Sequence, residues 1–339
     1  MKFASEREAA AAAKIAHAVT LLRAGELVAF PTETVYGLGA DAANPAAVAK
    51  IFAAKGRPAD HPLIVHLPDA EALDAWAREV PESARRLAAA FWPGPLTLIL
   101  KRQPWVSDAV TGGQDTVGLR VPDHPLALAL LKAFDGGIAA PSANRYGRIS
   151  PTSAAHVRAD LGDAVPLVLD GGDCEVGIES TIVDLSRGTP AVLRPGAINA
   201  ADIARVLDER LGQTQREHPG TATPRVSGSL AAHYAPRTPL RLVAGDELAT
   251  EVKAALASGG RIAVLAYAAR PSVAKNIFWR IAAGNAAAYA HDLYASLRDL
   301  DAAACDTILV EAPPDNPAWL AIADRLQRAA CGSGEDDET

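Results

Sequence analysis

The sequence predicts an α/β protein with two domains, on the strength of three observations. The chain has 339 residues, which is more than one typical domain needs. Short apolar strands and helical segments are mixed, without regular alternation, over roughly the first 200 residues. A stretch rich in Gly, Pro, Ser and Thr at 212–239 then precedes a second, shorter run of strands and helices.

The first domain, predicted at 1–211, contains helices with clear start and stop signals. A helix after the capping box of Ser5 and Glu8 ends at Gly25, and Asn44 begins a second helix that Gly56 ends. Strands are predicted in LVAF, PLIVHL, LTLILK, TVGLRV, GIAA, PLVLD, STIVDL and AVLRP, and further helices over 69–79, 82–91, 125–134 and 199–212. This order predicts a mixed sheet.

The second domain, predicted at 240–331, has a βαβ-like pattern. Strands are expected in LRLVAG, RIAVLAY and TILVEAP, with helices near 246–257 and 286–303 and one more at the end. The tail at 332–339 is expected to be disordered because it is acidic and lacks apolar residues. Neither G-x-G-x-x-G nor G-x-x-x-x-G-K-[ST] occurs, so neither standard phosphate loop is present.

Composition excludes several classes of protein. A net charge of −7 provides no global basic field for holding nucleic acid non-specifically. Cys174, Cys305 and Cys331 lack short pairing spacings, which argues against a disulfide framework or a Cys-rich zinc site. No secretory signal or apolar run of about 18 residues is found, so we expect a cytoplasmic protein without a membrane span.

Polar clusters interrupt the apolar strands of the first domain in chain order. They are FPTETVYGLGADA at 30–42, KGRPADHPLIVH at 55–66, VGLRVPDHP at 117–125, PSANRYGRISPT at 141–152, IESTIVD at 178–184 and LRPG at 193–196. Each alone has a structural interpretation, since KGRP suits a helix end and PSAN suits a turn. His61 or His66 alone is more often structural than catalytic.

Taken together, the clusters indicate a ligand site. If the strands share one cleft, it contains four cationic side chains, those of Lys55, Arg57, Arg120 and Arg194. Binding of a polyphosphate requires such cations beside hydroxyl groups. Lys55 and Arg57 are expected to be exposed at a helix end. The hydroxyls of 32–36 are expected to line one wall of the pocket, where glycines allow the backbone to approach the ligand.

The clusters, with FWPGPLTLIL at 91–100 and the linker piece SGSLAAHYAPRTPL, resemble the L-threonylcarbamoyladenylate synthase family in its long, two-domain version. The resemblance implies a YrdC-like twisted mixed sheet with a concave open cleft and a small Rossmann-like C-terminal domain. It implies an enzyme that uses ATP, L-threonine and bicarbonate to make threonylcarbamoyl-AMP with release of pyrophosphate. The product passes to a transferase complex that makes threonylcarbamoyladenosine in tRNA.

Motif by motif, the resemblance also implies site residues. The threonine contacts are Thr34, His66, Arg120, the backbone at Ala140, and Ser180. The ATP contacts are Arg57, His61, Thr116, Ser142, Ser150, Arg194 and Tyr234, with Lys55 and Arg57 acting on the phosphates. His61 is a small departure, since other members can have Asn there. Mg²⁺ is expected to accompany ATP, and its protein ligands stay unassigned.

Two alternatives stay open at the level of sequence. One is a double-stranded RNA or tRNA binding module that uses the same cleft, which the net charge of −7 disfavours as the main role. The other is a carbamoyl-adenylate-forming domain of the hydrogenase-maturation type, whose zinc-finger-like Cys motifs this chain does not show. The linker at 212–239 is interpreted as a lid, with Tyr234 against ATP and hinges at Gly220 and Gly228.

Overall fold

A computed structural model of the chain describes residues 2–208, 211, 223–228, 230–269 and 276–334, with the side chains of residues 2–8 left out. The chain divides into two compact units. The first comprises Met1–Tyr146, Pro151–Glu175 and Glu179–Ser229, and the second comprises Gly147–Ser150, Val176–Ile178 and Leu230–Thr339. The proposed hinge at Gly220 and the tail after residue 334 lie outside the described residues.

The first unit contains eight helices and nine strands among the described residues. The helices are α1 (Lys2–Arg23), α2 (Pro45–Lys55), α3 (Leu73–Trp76), α4 (Glu82–Phe91), α5 (Asp108–Thr111), α6 (Pro125–Phe134), α7 (Ala154–Leu161) and α8 (Ala200–Leu207). The strands are β1 (Val28–Phe30), β2 (Gly37–Asp41), β3 (Ile64–His66), β4 (Leu96–Lys101), β5 (Thr116–Arg120), β6 (Ile138–Ala139), β7 (Leu167–Val168), β8 (Thr181–Asp184) and β9 (Ala191–Arg194).

These strands form one mixed sheet in the order β7-β1-β2-β6-β3-β5-β4-β8-β9. β3 and β5 run parallel, with His66 opposite Arg120 where both strands end. β4 runs antiparallel to β5 and parallel to β8, so the start of β8 lies at the same sheet edge. The predicted mixed α/β fold is confirmed, and its topology brings four of the polar clusters to one edge.

Strand β2 was not predicted, because residues 37–41 contain two glycines and follow polar residues. The glycines are required by packing inside the sheet. A Cβ at Gly39 would lie 2.8 Å from Phe30 Cε1 and 2.9 Å from Ile138 Cγ2. Gly39 therefore makes room for the Phe30 ring, and the expectation that these glycines serve the approach of a ligand stays a prediction.

The second unit contains β10 (Leu240–Val243), α9 (Leu248–Ala257), β11 (Ile262–Ala266), β12 (Ile277–Ile281), α10 (Ala286–Ala302), β13 (Thr307–Glu311) and α11 (Leu320–Gly332). Its four strands are all parallel, in the order β10-β13-β11-β12. The Rossmann-like prediction for this part is confirmed, and β12 is an addition that the sequence analysis missed. Within the described residues, no helix has the length and apolar character that a membrane crossing requires.

Candidate active site

Three groups of the protein hold the Arg120 side chain at the end of β5. Nε donates to Gly94 O at 3.3 Å, and Nη1 donates to Thr34 Oγ1 at 2.9 Å. Nη2 lies 2.5 Å from Glu33 Oε1, and each side chain of this ion pair is only 5% exposed. Since every guanidinium nitrogen has a partner, the orientation of Arg120 is fixed before any ligand binds.

The carboxylate of Glu33 was part of a predicted cluster but received no role from the sequence. Besides Arg120, it accepts a hydrogen bond from the backbone N–H of Asp123 at 3.0 Å. It therefore neutralises the charge of Arg120, which the resemblance places among the threonine contacts. In the sequence, the only sign of this pair is a glutamate that lies between two threonines.

The hydroxyls of Thr32 and Tyr36 stabilise the turn that carries Thr34. Thr32 Oγ1 donates to Val35 O at 2.7 Å and lies 2.9 Å from Thr34 Oγ1. Tyr36 OH donates to Gly172 O at 2.7 Å, and burial raises its pKa to about 12. Both hydroxyls are bonded within the protein, and the expectation that the hydroxyls of 32–36 line one wall of the pocket stays a prediction.

His66 lies beside Arg120 in the sheet, and Ala140 follows β6, on the other side of β3. His66 is 4% exposed, and its ring meets the edge of Phe30 at 5.9 Å between centroids. Burial, and secondarily the charge of Arg120, lower the pKa of His66 to about 3, so the imidazole is neutral at physiological pH. The N–H of Ala140 donates to Ile64 O at 2.9 Å, which leaves its carbonyl as the group that can meet a ligand.

Ser180 and Arg194 lie together near the start of β8. Arg194 Nε donates to Ser180 O at 3.0 Å, and Nη2 donates to Ser180 Oγ at 3.1 Å. Ser180 Oγ is also 2.8 Å from Thr97 Oγ1. The remaining end of the guanidinium, Nη1, donates to Ser227 O at 2.8 Å.

Arg57 converges on the same linker residue. Its Nη2 donates to Pro62 O at 3.0 Å and to Ser227 Oγ at 3.3 Å, and its guanidinium carbon lies 5.9 Å from the centre of the Tyr146 ring. Ser227 therefore contacts both Arg57 and Arg194. The guanidinium groups come from motifs far apart in sequence, yet they reach one serine.

The linker segment at 223–228 packs on the first unit around this serine. Val226 joins a small apolar cluster with Ile99 and Ile182. Arg225 Nη2 donates to Gly112 O at 2.7 Å. A small open groove lies here, and Thr116 is part of its lining. Thr116 is thus placed beside the linker segment at the first residue of β5.

Lys55 and Arg57 are buried, with exposures of 4% and 8%, so the expectation that they are exposed is wrong. Lys55 Nζ donates to Ser142 O and Asn144 O, both at 2.5 Å. Burial, and secondarily the charge of Arg57, hold the pKa of Lys55 well below its usual value. The physical reason is that the loop at 142–144 folds over the end of α2, so Lys55 fastens this loop.

His61 and Ser142 complete the predicted ATP contacts of the first unit. His61 Nδ1 lies 3.1 Å from Tyr146 OH, and the rings meet edge to face at 5.5 Å. Partial burial, followed by the charge of Arg57, lowers the pKa of His61. Ser142 pairs with Gly37 in an isolated bridge, beside the carbonyl that Lys55 contacts.

Ser150 and Tyr234 belong to the second unit. Ser150 is fully buried, and its carbonyl accepts from Arg298 Nε at 3.5 Å. Tyr234 has a left-handed backbone with φ 62 and is 1% exposed. Its ring stacks on Tyr294 at 5.6 Å and lies 5.3 Å from the guanidinium carbon of Arg325. Tyr234 is therefore a packed aromatic of this unit.

Comparisons with known proteins identify the family. Residues 20–196 match the Sua5/YciO/YrdC family model, described as "Telomere recombination", and residues 198–331 match "Threonylcarbamoyl-AMP synthase, C-terminal domain". A threonylcarbamoyl-AMP synthase of Pyrococcus abyssi is 40% identical over 94% of both chains. The chain belongs to the threonylcarbamoyl-AMP synthase family. Another member, from Bacillus subtilis, is 42% identical over 94% of this chain and 93% of its own length.

A solved structure supports the same assignment over both units. The crystal structure of P. abyssi Sua5 complexed with L-threonine is similar to this chain with a TM-score of 0.85 and 38% identity, over 94% of each chain. The two-domain threonylcarbamoyl-AMP synthase architecture is therefore that of this protein. Across the part of this family member that the structure describes, no group of three or more His, Cys, Asp or Glu side chains is placed to hold a metal ion.

Proposed function

We propose that this protein is an L-threonylcarbamoyladenylate synthase that uses ATP, L-threonine and bicarbonate and releases pyrophosphate. The structural observation that carries the proposal is the convergence of Arg57 and Arg194 on Ser227. The hydroxyl and the carbonyl oxygen of this serine accept hydrogen bonds from these two cations. A triphosphate offers more acceptor oxygens and negative charge to the same donors. Family membership supplies the reaction.

The chemistry rests on positioning and charge neutralisation. The neutral amine of threonine adds to bicarbonate with loss of water and gives an N-carboxylate. An oxygen of that carboxylate attacks the α-phosphorus of ATP in line, the bond to the β-phosphate oxygen breaks, and pyrophosphate leaves with its electron pair. Arg57 and Arg194 stabilise the phosphate charge, while Lys55 holds the loop that contains Ser142.

The threonine site is proposed at the Arg120 cluster. Arg120 is already paired with Glu33, so it contributes directed N–H donors rather than a free charge. Thr34 and Ser180 supply hydroxyls at either side of the same sheet edge, and neutral His66 supplies a ring without charge. This arrangement suits a zwitterionic amino acid, which has no net charge to neutralise.

Mg²⁺ is proposed as the cofactor that would accompany ATP, where it would supply positive charge to the phosphates. Glu33 does not fit a metal-ligand role, because both of its carboxylate oxygens already have partners within the protein. The product is proposed to pass to a tRNA-modifying transferase complex, because a carbamoyl adenylate is an activated acyl donor.

The linker is proposed to act as a lid over the nucleotide. The described segment at 223–228 already contacts the predicted ATP residues through Ser227, and Gly228 has φ 78, a conformation that favours glycine. Tyr234 is proposed to contact ATP when the lid closes. Limited proteolysis within 213–235 tests this, since cleavage slows with ATP and threonine if the lid closes and is unchanged if it does not.

Mass spectrometry of the reaction products tests the proposed function itself. Incubation with ATP, threonine and ¹³C-bicarbonate gives threonylcarbamoyl-AMP one mass unit heavier than the unlabelled product. Serine in place of threonine is used less well, by roughly 10- to 200-fold, because only one methyl group distinguishes them. Absence of any labelled adenylate contradicts the proposal.

A further inference from the structure

The C-terminal sheet has a topological switch point at its carboxyl edge. After β11 the chain continues to β12, which lies next to β11 on the side away from β13. After β13 the chain continues to α11, which packs against β10, on the side of β13 away from β11. The chain therefore leaves the adjacent strands β13 and β11 in opposite directions. Parallel α/β sheets bind ligands in the crevice that such a divergence opens.

A carboxylate and three aromatic rings meet at this edge. Glu311 ends β13, and its Oε2 accepts from the N–H of Tyr267, the residue after β11, at 2.9 Å. The rings of Tyr267, Tyr289 and Trp319 lie 5.4 to 5.9 Å apart, in tilted and edge-to-face arrangements. A side chain at Gly245 would meet Glu311 Oε1 at 2.7 Å, so this glycine keeps the second oxygen uncovered.

The tyrosine hydroxyls of this cluster have no partner among the described residues. Tyr289 is 2% exposed, and neither its hydroxyl nor that of Tyr267 makes a hydrogen bond within that part of the chain. A buried hydroxyl without a partner costs about 1–3 kcal/mol. Burial raises the pKa of Tyr267 to about 12, with Glu311 adding to the shift, so both phenols stay neutral.

The charge around the cluster selects the ligand. In dinucleotide-binding folds the turn after the first strand is glycine-rich and places a pyrophosphate at a helix N-terminus. Here that turn carries exposed Asp246 and Glu247 at the start of α9. These carboxylates repel phosphate and, with Glu311, favour a cation. Aromatic faces beside a carboxylate are a recognised arrangement for binding organic cations.

We propose that the carboxyl edge of the C-terminal sheet, formed by Glu311, Tyr267, Tyr289 and Trp319, binds an organic cation that carries a primary ammonium or guanidinium group. The carboxylate pairs with the cation, the phenols orient around it, and the rings contact its alkyl stem. The proposal is independent of the reaction proposed for the first unit. The cation is either a free small molecule or a Lys or Arg side chain of a partner.

Isothermal titration of the full-length protein tests the proposal. The probes are butylammonium, methylguanidinium and the uncharged butan-1-ol, together with the capped tripeptide acetyl-Gly-Lys-Gly-amide. A cation is expected to bind at least about tenfold more tightly than butan-1-ol, because only the cation engages the carboxylate and the aromatic faces. Binding of the free cations indicates a small-molecule site, and binding of the peptide alone indicates a partner's side chain.

Variants separate the site from general effects. Glu311→Gln keeps an acceptor for the Tyr267 N–H but removes the charge, and is expected to weaken cation binding about tenfold or more. Glu251→Gln, which removes a carboxylate paired with Arg241 in the same unit, is the matched control and leaves binding unchanged. Tyr289→Phe also weakens binding while keeping the ring.

Three results overturn the proposal. They are equal binding of butylammonium and butan-1-ol, no binding of any cationic probe, or unchanged cation binding in both Glu311→Gln and Tyr289→Phe. Should Glu311→Gln fail to fold, Tyr289→Phe decides alone, because it removes only a hydroxyl without a described partner. A higher melting temperature for Tyr289→Phe together with unchanged binding shows that this hydroxyl is merely packed.

Discussion

The polar groups at the strand ends of the two sheets differ in whether they have partners within the protein. In the first unit, Arg120 is matched by Glu33, and Arg194 is matched by Ser180 and Ser227. In the second unit, Glu311 has one oxygen on a backbone N–H, and the phenols of Tyr267 and Tyr289 have no partner in the described chain. One edge carries arginines that are paired within the protein, while the other carries a carboxylate beside two phenols that have no partner in the described chain.

This difference in pairing indicates which interactions a ligand can make at each edge. Where the protein itself fixes each guanidinium, a substrate meets a preorganised set of donors and loses little free energy in ordering them. Where hydroxyls stay without partners, the missing hydrogen bonds are available to a molecule from outside. Breaking the internal pairs of the first unit is therefore the most direct way to test the contrast.

Removing Glu33 is expected to have the largest effect. Glu33→Gln leaves the charge of Arg120 buried without its partner, which lowers the free energy of unfolding by about 3–5 kcal/mol. Urea unfolding of the purified protein measures it. Glu79→Gln, which removes an exposed partner of Arg78 and Lys101, serves as the control and leaves stability nearly unchanged. Equal stability of both variants contradicts the buried pair.

The pH dependence of stability tests the neutral state of His66. The folded protein holds the pKa near 3, whereas the unfolded chain takes up this proton below about pH 6.5. Stability is therefore lost as pH falls from about 6.5 towards 3, with a contribution on the order of 4 kcal/mol. His66→Gln flattens this slope in urea unfolding series, whereas His17→Gln, an exposed histidine, keeps it. A slope that survives His66→Gln assigns it to other groups.

Substitutions of the basic residues at the phosphate site have the next largest expected effect. Arg57→Ala is expected to reduce turnover at least about 100-fold, corresponding to about 3 kcal/mol of transition-state stabilisation, with the fold intact. Lys55→Ala loses activity similarly but also lowers the melting temperature, because two carbonyls lose their donor. Turnover assays paired with thermal melts distinguish them. Near wild-type turnover in both variants shows that these cations are purely structural.

Ser227→Ala is expected to have the smallest effect. The substitution removes the hydroxyl that Arg57 contacts, so ATP competes with one hydrogen bond fewer and its affinity rises by roughly 2- to 10-fold. Equilibrium binding of a non-hydrolysable ATP analogue measures this change. Weaker binding instead indicates that the hydroxyl contacts the nucleotide rather than standing in its place.

The sequence predicted elements with strong local signals and missed those decided by packing. The bounds of α6 at 125–134 agree with the prediction, because His124 and Pro125 mark its start. β2 was missed because Gly39 serves Phe30, a contact that no local pattern reveals. Likewise, the exposure expected for Lys55 failed because a loop 87 residues away covers it.

In the candidate site, too, the residues with clear sequence motifs were predicted and those that depend on packing were missed. Motifs identified Thr34, Arg120 and Ser180, whose side chains the sheet brings to one edge. The partner of Arg120 could not be assigned, because an ion pair depends on the direction of side chains after folding. The role of Ser227 could not be predicted, because nothing in the linker sequence signals a contact with two arginines.

Pyrophosphate release measured with each substrate omitted in turn tests the central claim most directly. With ATP, threonine and bicarbonate all present, the wild-type protein is predicted to release pyrophosphate, and omission of threonine or of bicarbonate is predicted to reduce release to background. Arg57→Ala and Arg194→Ala are predicted to abolish the threonine-dependent part. Release that is the same with and without threonine and bicarbonate would contradict the proposed activity and the assignment of this edge as its site.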